Sequence, residues 1–203
     1  MDLMKDWVQQ AKEVGIAEPL GMTLTTINHA GLPWSRVVLI KKLNEFSIVF
    51  GSSSLSEKGK NLKQNSIVAG SIWWRESIQQ IQFRGFASIA AEETSERLFA
   101  ERSREAKAVA INSQQSKVLK SESQLKTKIA ALNCSKQILP RPLTWNAYEI
   151  LPIEYEFWQG DASRLHKRLR YNLQISGLDL THKSNLLKSE LTTRKWIQYR
   201  LQP

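Results

Sequence analysis

One cysteine, Cys134, occurs in 203 residues. That scarcity excludes an internal disulfide framework and any multi-cysteine metal site. The three histidines, His29, His166 and His182, are too scattered to form a zinc motif, so no metal is expected. No apolar run approaches the roughly 20 residues a helix needs to cross a bilayer. The start, Met1 to Trp7, is mixed and carries two acids. It lacks the basic-then-apolar order of a secretory signal, which leads us to expect a soluble, cytoplasmic protein with no membrane partner. There is no P-loop and no GxGxxG fingerprint, and no serine sits in a GxSxG elbow. No repeat is visible at solenoid periods. The only low-complexity stretch, Gly51 to Ser54, is too short to link domains. Acid is also scarce: 19 Asp and Glu face 29 Lys and Arg, a net charge of +10.

What is present is globular in composition, with 41% apolar and 24% charged residues. The length fits a single domain over 1–203 with a sizeable core. A basic balance points to an anion: nucleic acid, an acidic membrane surface or a phosphorylated small molecule. The excess is concentrated, because residues 164–203 hold nine Lys and Arg against Asp179 and Glu190. Seven tryptophans and the charge keep nucleic acid in view. No recognition module accompanies them, and Trp73 and Trp74 lie in an apolar strand pattern that suits core or cofactor packing, so no nucleic-acid partner is expected.

Periodicity orders the chain. Met4, Trp7, Val8, Ala11 and Val14 recur at helical spacing. Met22 to Ile27 alternates as a strand, and His29 to Pro33 supplies a turn. Arg36 to Lys41 and Phe46 to Phe50 read as strands around an Asn44-Glu45 hairpin, and Ser56 as the cap of a helix through Leu62. Ser66 to Trp74 and Ile78 to Ala90 are two more strands. Helical patterns cover Thr94 to Ala110 and Lys117 to Leu132, and the prolines of Gln137 to Pro142 mark an irregular connector. Strands resume over Thr144–Tyr148, Glu154–Trp158, Arg164–Tyr171 and Lys195–Leu201. This order predicts an α+β fold on an antiparallel barrel or sheet.

In the strand predicted from Arg164, alternation puts Arg164, His166 and Arg168 on one face and Lys167 on the other. Two guanidiniums and an imidazole suit a phosphate or carboxylate, which arginine binds in bidentate fashion. The same charges also fit a solvated edge strand that resists aggregation.

Several segments together resemble one family over nearly the whole chain. They are Arg36-Val37-Val38-Leu39-Ile40-Lys41, Glu57-Lys58-Gly59-Lys60, Trp74 to Gln80, Gln115-Ser116, and Glu156-Phe157-Trp158-Gln159-Gly160 followed by Arg164-Leu165-His166-Lys167-Arg168. The family is the FMN-dependent pyridoxamine 5'-phosphate oxidases, with the related phenazine-biosynthesis oxidases. The resemblance implies an antiparallel split β-barrel with flanking helices and a homodimer holding FMN at its interface. It implies FMN contacts from Arg36, Lys41, Ser52, Lys58, Gln80, Gln115, Ser116, Trp158 and Arg168. It assigns Lys41 and Arg102 to a substrate phosphate, and Arg164 and His166 to the reacting ring. The implied reaction moves a hydride from pyridoxine or pyridoxamine 5'-phosphate, or a related reduced heteroaromatic metabolite, to flavin, with oxygen reduced to peroxide.

The chain departs from the pattern at named places. Gly51 stands where an aromatic residue is usual, and Glu57 replaces a basic residue beside the FMN phosphate. Leu98 and Ala106 replace hydroxyl residues that help hold substrate phosphate, and Trp145-Asn146-Ala147 replaces Trp-Gly-Gly. The hairpin between Tyr171 and Trp196 is lengthened. The opening Trp7 to Ile16, Trp74 to Ser77 and Arg200 to Pro203 are similar to the phenazine branch, whereas Lys41 is the residue of a pyridoxamine phosphate oxidase. The substitutions also fit a non-catalytic split-barrel protein that binds flavin or another ligand.

Overall fold

The structure is a computed structural model that describes residues 2–174 and 195–203. Helix α1 (Asp2–Glu13) is followed by strands β1 (Gly21–Ile27), β2 (Pro33–Leu43) and β3 (Ile48–Ser53), then by α2 (Glu57–Gln64). Strands β4 (Ile67–Trp74) and β5 (Gln79–Ile89) precede α3 (Glu92–Ala100), α4 (Arg104–Asn112) and α5 (Glu122–Cys134). The chain returns through β6 (Trp145–Gln159), β7 (Lys167–Leu173) and β8 (Trp196–Leu201).

All pairings are antiparallel, in the order β3-β2-β1-β4-β5-β6-β7-β8. A further β3–β6 pairing closes the first six strands into a barrel. The long strand β6 makes this possible. It pairs with β5 along its length, while residues Trp145 to Ile150 close on β3 and Glu154 to Gln159 turn to β7. The change of partner falls at a bulge: Arg84 faces Glu154 but Gly85 faces Pro152, which leaves Ile153 as the extra residue. Proline cannot donate to a ladder, so the point where β6 changes partner is where a strand tolerates it. Gly85 is needed opposite, because a Cβ there would overlap the Leu151 carbonyl.

The barrel interior is filled by alternate residues of each strand, among them Leu24, Phe50, Val68, Ile72 and Ile81. Met4, Val8 and Ala11 of α1 join this core, and Trp7 packs edge-on to Phe157. A second cluster, Val49, Leu98, Phe99, Trp145 and Ala147, fixes α3 to the outside of β3 and β6.

Four sequence expectations need correction. The helix expected over Thr94–Ala110 is two helices, because Ser103 caps α4 by accepting from the Ala106 N–H at 3.2 Å. The helix expected from Lys117 begins at Glu122, after the Ser121 cap. The strands expected over Thr144–Tyr148 and Glu154–Trp158 are one strand, continuous through the bulge. The strand expected from Arg164 begins at Lys167, so Arg164 and His166 lie on the preceding turn and do not share a strand face with Arg168. Most of the lengthened hairpin, with Lys183 and Lys188, lies outside the described residues.

Candidate active site

The first cluster is built where α2 abuts the end of β3. Ser56 caps α2 through the Gly59 N–H at 3.2 Å. Gly59 packs so close to Ser53 and Ser54 that a Cβ would fall 2.5 Å from the Ser53 carbonyl oxygen. That approach buries Lys58, whose Nζ lies 3.3 Å from Gln115 Oε1 and 3.4 Å from Ser56 Oγ, with no ion-pair partner among the described residues. On β2, Arg36 donates through Nη1 to Thr26 Oγ1 at 2.7 Å and the Leu24 carbonyl at 3.2 Å. Buried Asn61 also donates to Thr26 Oγ1, which fixes the hydroxyl. Arg36 Nη2 is buried with no hydrogen-bond partner among the described residues.

Electrostatics agree with this geometry. Burial, reinforced by Arg36, pushes the Lys58 ammonium down to about 8. Burial also lowers Arg36, against the attraction of Glu57. Two desolvated cations without a paired carboxylate are costly unless an anion joins them. They open on a cavity of about 500 Å³ lined also by Lys41, Ser52, Arg102 and Gln115. Ser116 stands at its border with φ 73°, and its hydroxyl accepts the Glu57 N–H at 3.2 Å. The Glu57 side chain itself is exposed and does not line the cavity.

Arg102 approaches the same cavity from the segment after α3. Its guanidinium lies 5.3 Å from the Trp145 ring centroid, and Nη2 donates to the Ala106 carbonyl at 3.0 Å. Burial lowers its pKa, and its Nε has no partner among the described residues. The Trp145 ring covers Gly51, where any Cβ would overlap it. The space that an aromatic residue at 51 would use is therefore filled from β6. Leu98 points into the apolar cluster with Phe99 and Trp145.

The second cluster lies on the part of β6 that has left the barrel seam. Gln80 faces Trp158 across β5 and β6, and Trp158 faces Arg168 across β6 and β7, so the three form one cross-strand row. Gln80 donates to Ser71 Oγ at 2.9 Å and accepts from Gln82 at 3.0 Å. The Trp158 ring lies 6.1 Å from Trp73 and 4.8 Å from His166. The Asp161 N–H donates to His166 Nδ1 at 3.1 Å, which assigns the proton of the neutral ring to Nε2. His166 and Arg168 line a cavity of about 530 Å³ with Trp7, Phe157 and Arg200. It shares no lining residue with the first cavity. Arg164 is exposed on the turn at φ 67° and lines neither.

Sequence reasoning missed the row beneath. Gln82, Glu156 and Arg170 lie one step along the same face, and Glu156 is buried between Arg168 and Arg170. The signal was available in part: Glu156 and Arg170 each stand two residues from a site candidate, hence on its face. The strand register that brings them together was not readable.

These features define a class first: a split-barrel protein with a cationic cleft for an anionic ligand and a separate row of aromatic, amide and guanidinium groups. The family model for pyridoxamine 5'-phosphate oxidase matches residues 8–134, and that for the pyridoxine 5'-phosphate oxidase C-terminal dimerisation region matches 145–203. A pyridoxine/pyridoxamine 5'-phosphate oxidase of Mannheimia succiniciproducens is 37% identical over 84% of this chain and 82% of its own. One from Leptospira biflexa is 35% identical over 97% and 85%. The crystal structure of PhzG from Burkholderia lata, solved in complex with tetrahydrophenazine-1-carboxylic acid, superposes with a TM-score of 0.87 at 31% identity, covering 100% of this chain and 91% of that one. The chain belongs to the pyridoxamine 5'-phosphate oxidase family of flavin-dependent oxidases.

Proposed function

We propose that this protein is an FMN-dependent oxidase acting on pyridoxine or pyridoxamine 5'-phosphate or on a related reduced heteroaromatic metabolite, with oxygen as acceptor. The observation that carries the reading is buried Lys58 beside half-buried Arg36, whose buried Nη2 has no hydrogen-bond partner among the described residues, at the edge of a polar cleft. This donor set fits a phosphate monoester, because two cations and the Ser52 hydroxyl converge on a cleft that no carboxylate of the described residues lines. FMN, when bound, supplies a ring that takes a hydride from substrate and delivers the electrons to oxygen, giving peroxide.

The chain's own residues position and charge-match. Arg36, Lys58 and Ser52 hold the FMN phosphate, with Gln115 and Ser116 beside it. Gln80, Trp158 and Arg168 present one edge of donors and one aromatic face to the ring system. Lys41 and Arg102 attract the substrate anion. His166, protonated at Nε2, offers a donor to the reacting ring, and Arg164 joins it from the turn. The row lies apart from the cleft on one protomer, with none of its residues lining it, and a two-fold dimer brings the cleft of one copy to the row of the other. The match to a dimerisation region over 145–203 supports that arrangement, as it supports reading 1–203 as one functional unit.

Purified protein is expected to be yellow, to carry FMN near one per subunit and to gain thermal stability from added FMN. Colourless protein that FMN does not stabilise overturns the reading. With FMN bound, an oxygen-electrode assay on pyridoxine 5'-phosphate, pyridoxamine 5'-phosphate and dihydrophenazine-type carboxylates identifies the substrate class. Silence from all of them favours the non-catalytic binding protein, a reading supported by Leu98, which is packed in the apolar cluster and offers the cleft no hydroxyl.

A further inference from the structure

The row Gln80–Trp158–Arg168 rests on a second row of Gln82, Glu156 and Arg170. Glu156 is the buried member, its side chain 7% exposed against 30% for Arg168 and 28% for Arg170. Its two oxygens are divided. Oε1 accepts from Arg168 Nε at 2.7 Å, and Oε2 accepts from Arg170 through both Nε and Nη2. Arg170 also lies 3.7 Å from Glu154, which in turn pairs with Arg84 at 2.6 Å. Charges thus alternate across three strands, from Arg168 through Glu156, Arg170 and Glu154 to Arg84.

This chain fixes Glu156 from behind, and Glu156 fixes Arg168. Arg168 Nη1 is taken by the Gln202 carbonyl at 3.3 Å, so two edges of the guanidinium are occupied and Nη2 makes no hydrogen bond among the described residues. A free guanidinium on a flexible side chain would lose rotamer entropy on meeting a ligand, whereas a clamped one has lost it already. Burial alone would raise the Glu156 carboxyl, but the hydrogen bonds and charges of Arg168 and Arg170 outweigh it and hold the group below the ordinary carboxylate value. Glu156 is therefore ionised wherever the protein is folded near neutrality.

We propose that Glu156 is a positioning residue that clamps the Arg168 guanidinium in the row with Gln80 and Trp158, leaving Nη2 for the flavin of the bound cofactor. This rests on the reading that Arg168 contacts FMN, and the test separates the two. Apo-protein is titrated with FMN by flavin fluorescence for wild type, Glu156→Gln, Arg168→Ala and the double variant. Glu156→Gln keeps the shape and removes the charge, and is expected to weaken FMN about tenfold, the effect of one charged hydrogen bond. In the Arg168→Ala background the same change is expected to have no further effect on affinity. Equal weakening in both backgrounds, or none in wild type, overturns the positioning role while leaving the Arg168 contact standing. Wild-type affinity in Arg168→Ala overturns the contact, and the positioning role with it. If Glu156→Gln does not fold, Glu156→Asp keeps the charge, draws the carboxylate back by one methylene, and is read by the same cycle.

Discussion

At the scale of the residue, Lys58 is buried as a cation beside another cation, and its ammonium is pushed down to about 8. A lysine unfolds to a pKa near 10.4, so between those values the unfolded chain binds more protons than the folded one. Stability of the apo-protein is therefore expected to rise with pH from about 8 toward 10, on account of this group, and the rise to vanish in Lys58→Met. FMN affinity has the opposite sign: the phosphate favours the charged amine, so affinity is expected to fall as pH climbs through about 8, read by fluorescence titration. A flat affinity profile over that range would remove Lys58 from the phosphate site. Gly51 gives a second residue-scale expectation. Its missing Cβ makes room for the Trp145 ring, so Gly51→Ala is expected to cost about 1–3 kcal/mol in urea unfolding through overpacking. The candidate cations Arg36 and Lys58 were legible as residue types within a motif. Their lack of a carboxylate partner was not, because it depends on how Gly59 seats α2 against β3.

At the scale of the element, β6 decides most of the architecture. Its two halves show clear strand patterns, and the seven other strands are equally legible from alternation and turns. The join was hidden because Pro152 reads as an interruption, whereas in the barrel it sits at the bulge where β6 exchanges β3 for β7. Arg164 failed for a local reason: alternation extends a strand backward on paper, but the Asp161–His166 turn, closed by the Asp161 N–H to His166 Nδ1 bond, holds those residues off the ladder. The bulge carries a direct test. Deleting Ile153 removes the extra residue and leaves a regular ladder in which Glu154 still faces Arg84, so the residues of the row keep their faces but the local bend and added twist that carry β6 from β3 to β7 are lost. The variant is expected to lose FMN retention and near-ultraviolet circular dichroism together. Retention of bound FMN would show that the bulge does not set the row.

At the scale of the whole molecule, β2 leaves a row of apolar side chains uncovered. Val37 is 70% exposed and Leu39 42%; both stand on one face of β2, at the edge of the cationic cleft. Large apolar side chains grouped in this way mark an interaction surface. Val37→Arg is expected to shift the protein toward monomer in sedimentation velocity and to release FMN in proportion. A dimer that persists with full FMN would place the interface elsewhere. The basic excess divides on the same scale: part of it faces the two cavities, and Arg84 and Arg170 are spent on internal ion pairs with Glu154 and Glu156. The closure of the barrel by β3 and β6 also bears on how the molecule comes into being. Ile48 must find Ile150, far along the chain, before the seam exists, and such distant pairings carry a large loop-closure cost and slow folding. During synthesis the cationic cleft can take shape only after the ribosome has released β6, and the row only after β7 has followed. Cofactor capture is thus a late event in the life of the nascent chain, and a polypeptide interrupted before β6 has no seam to close.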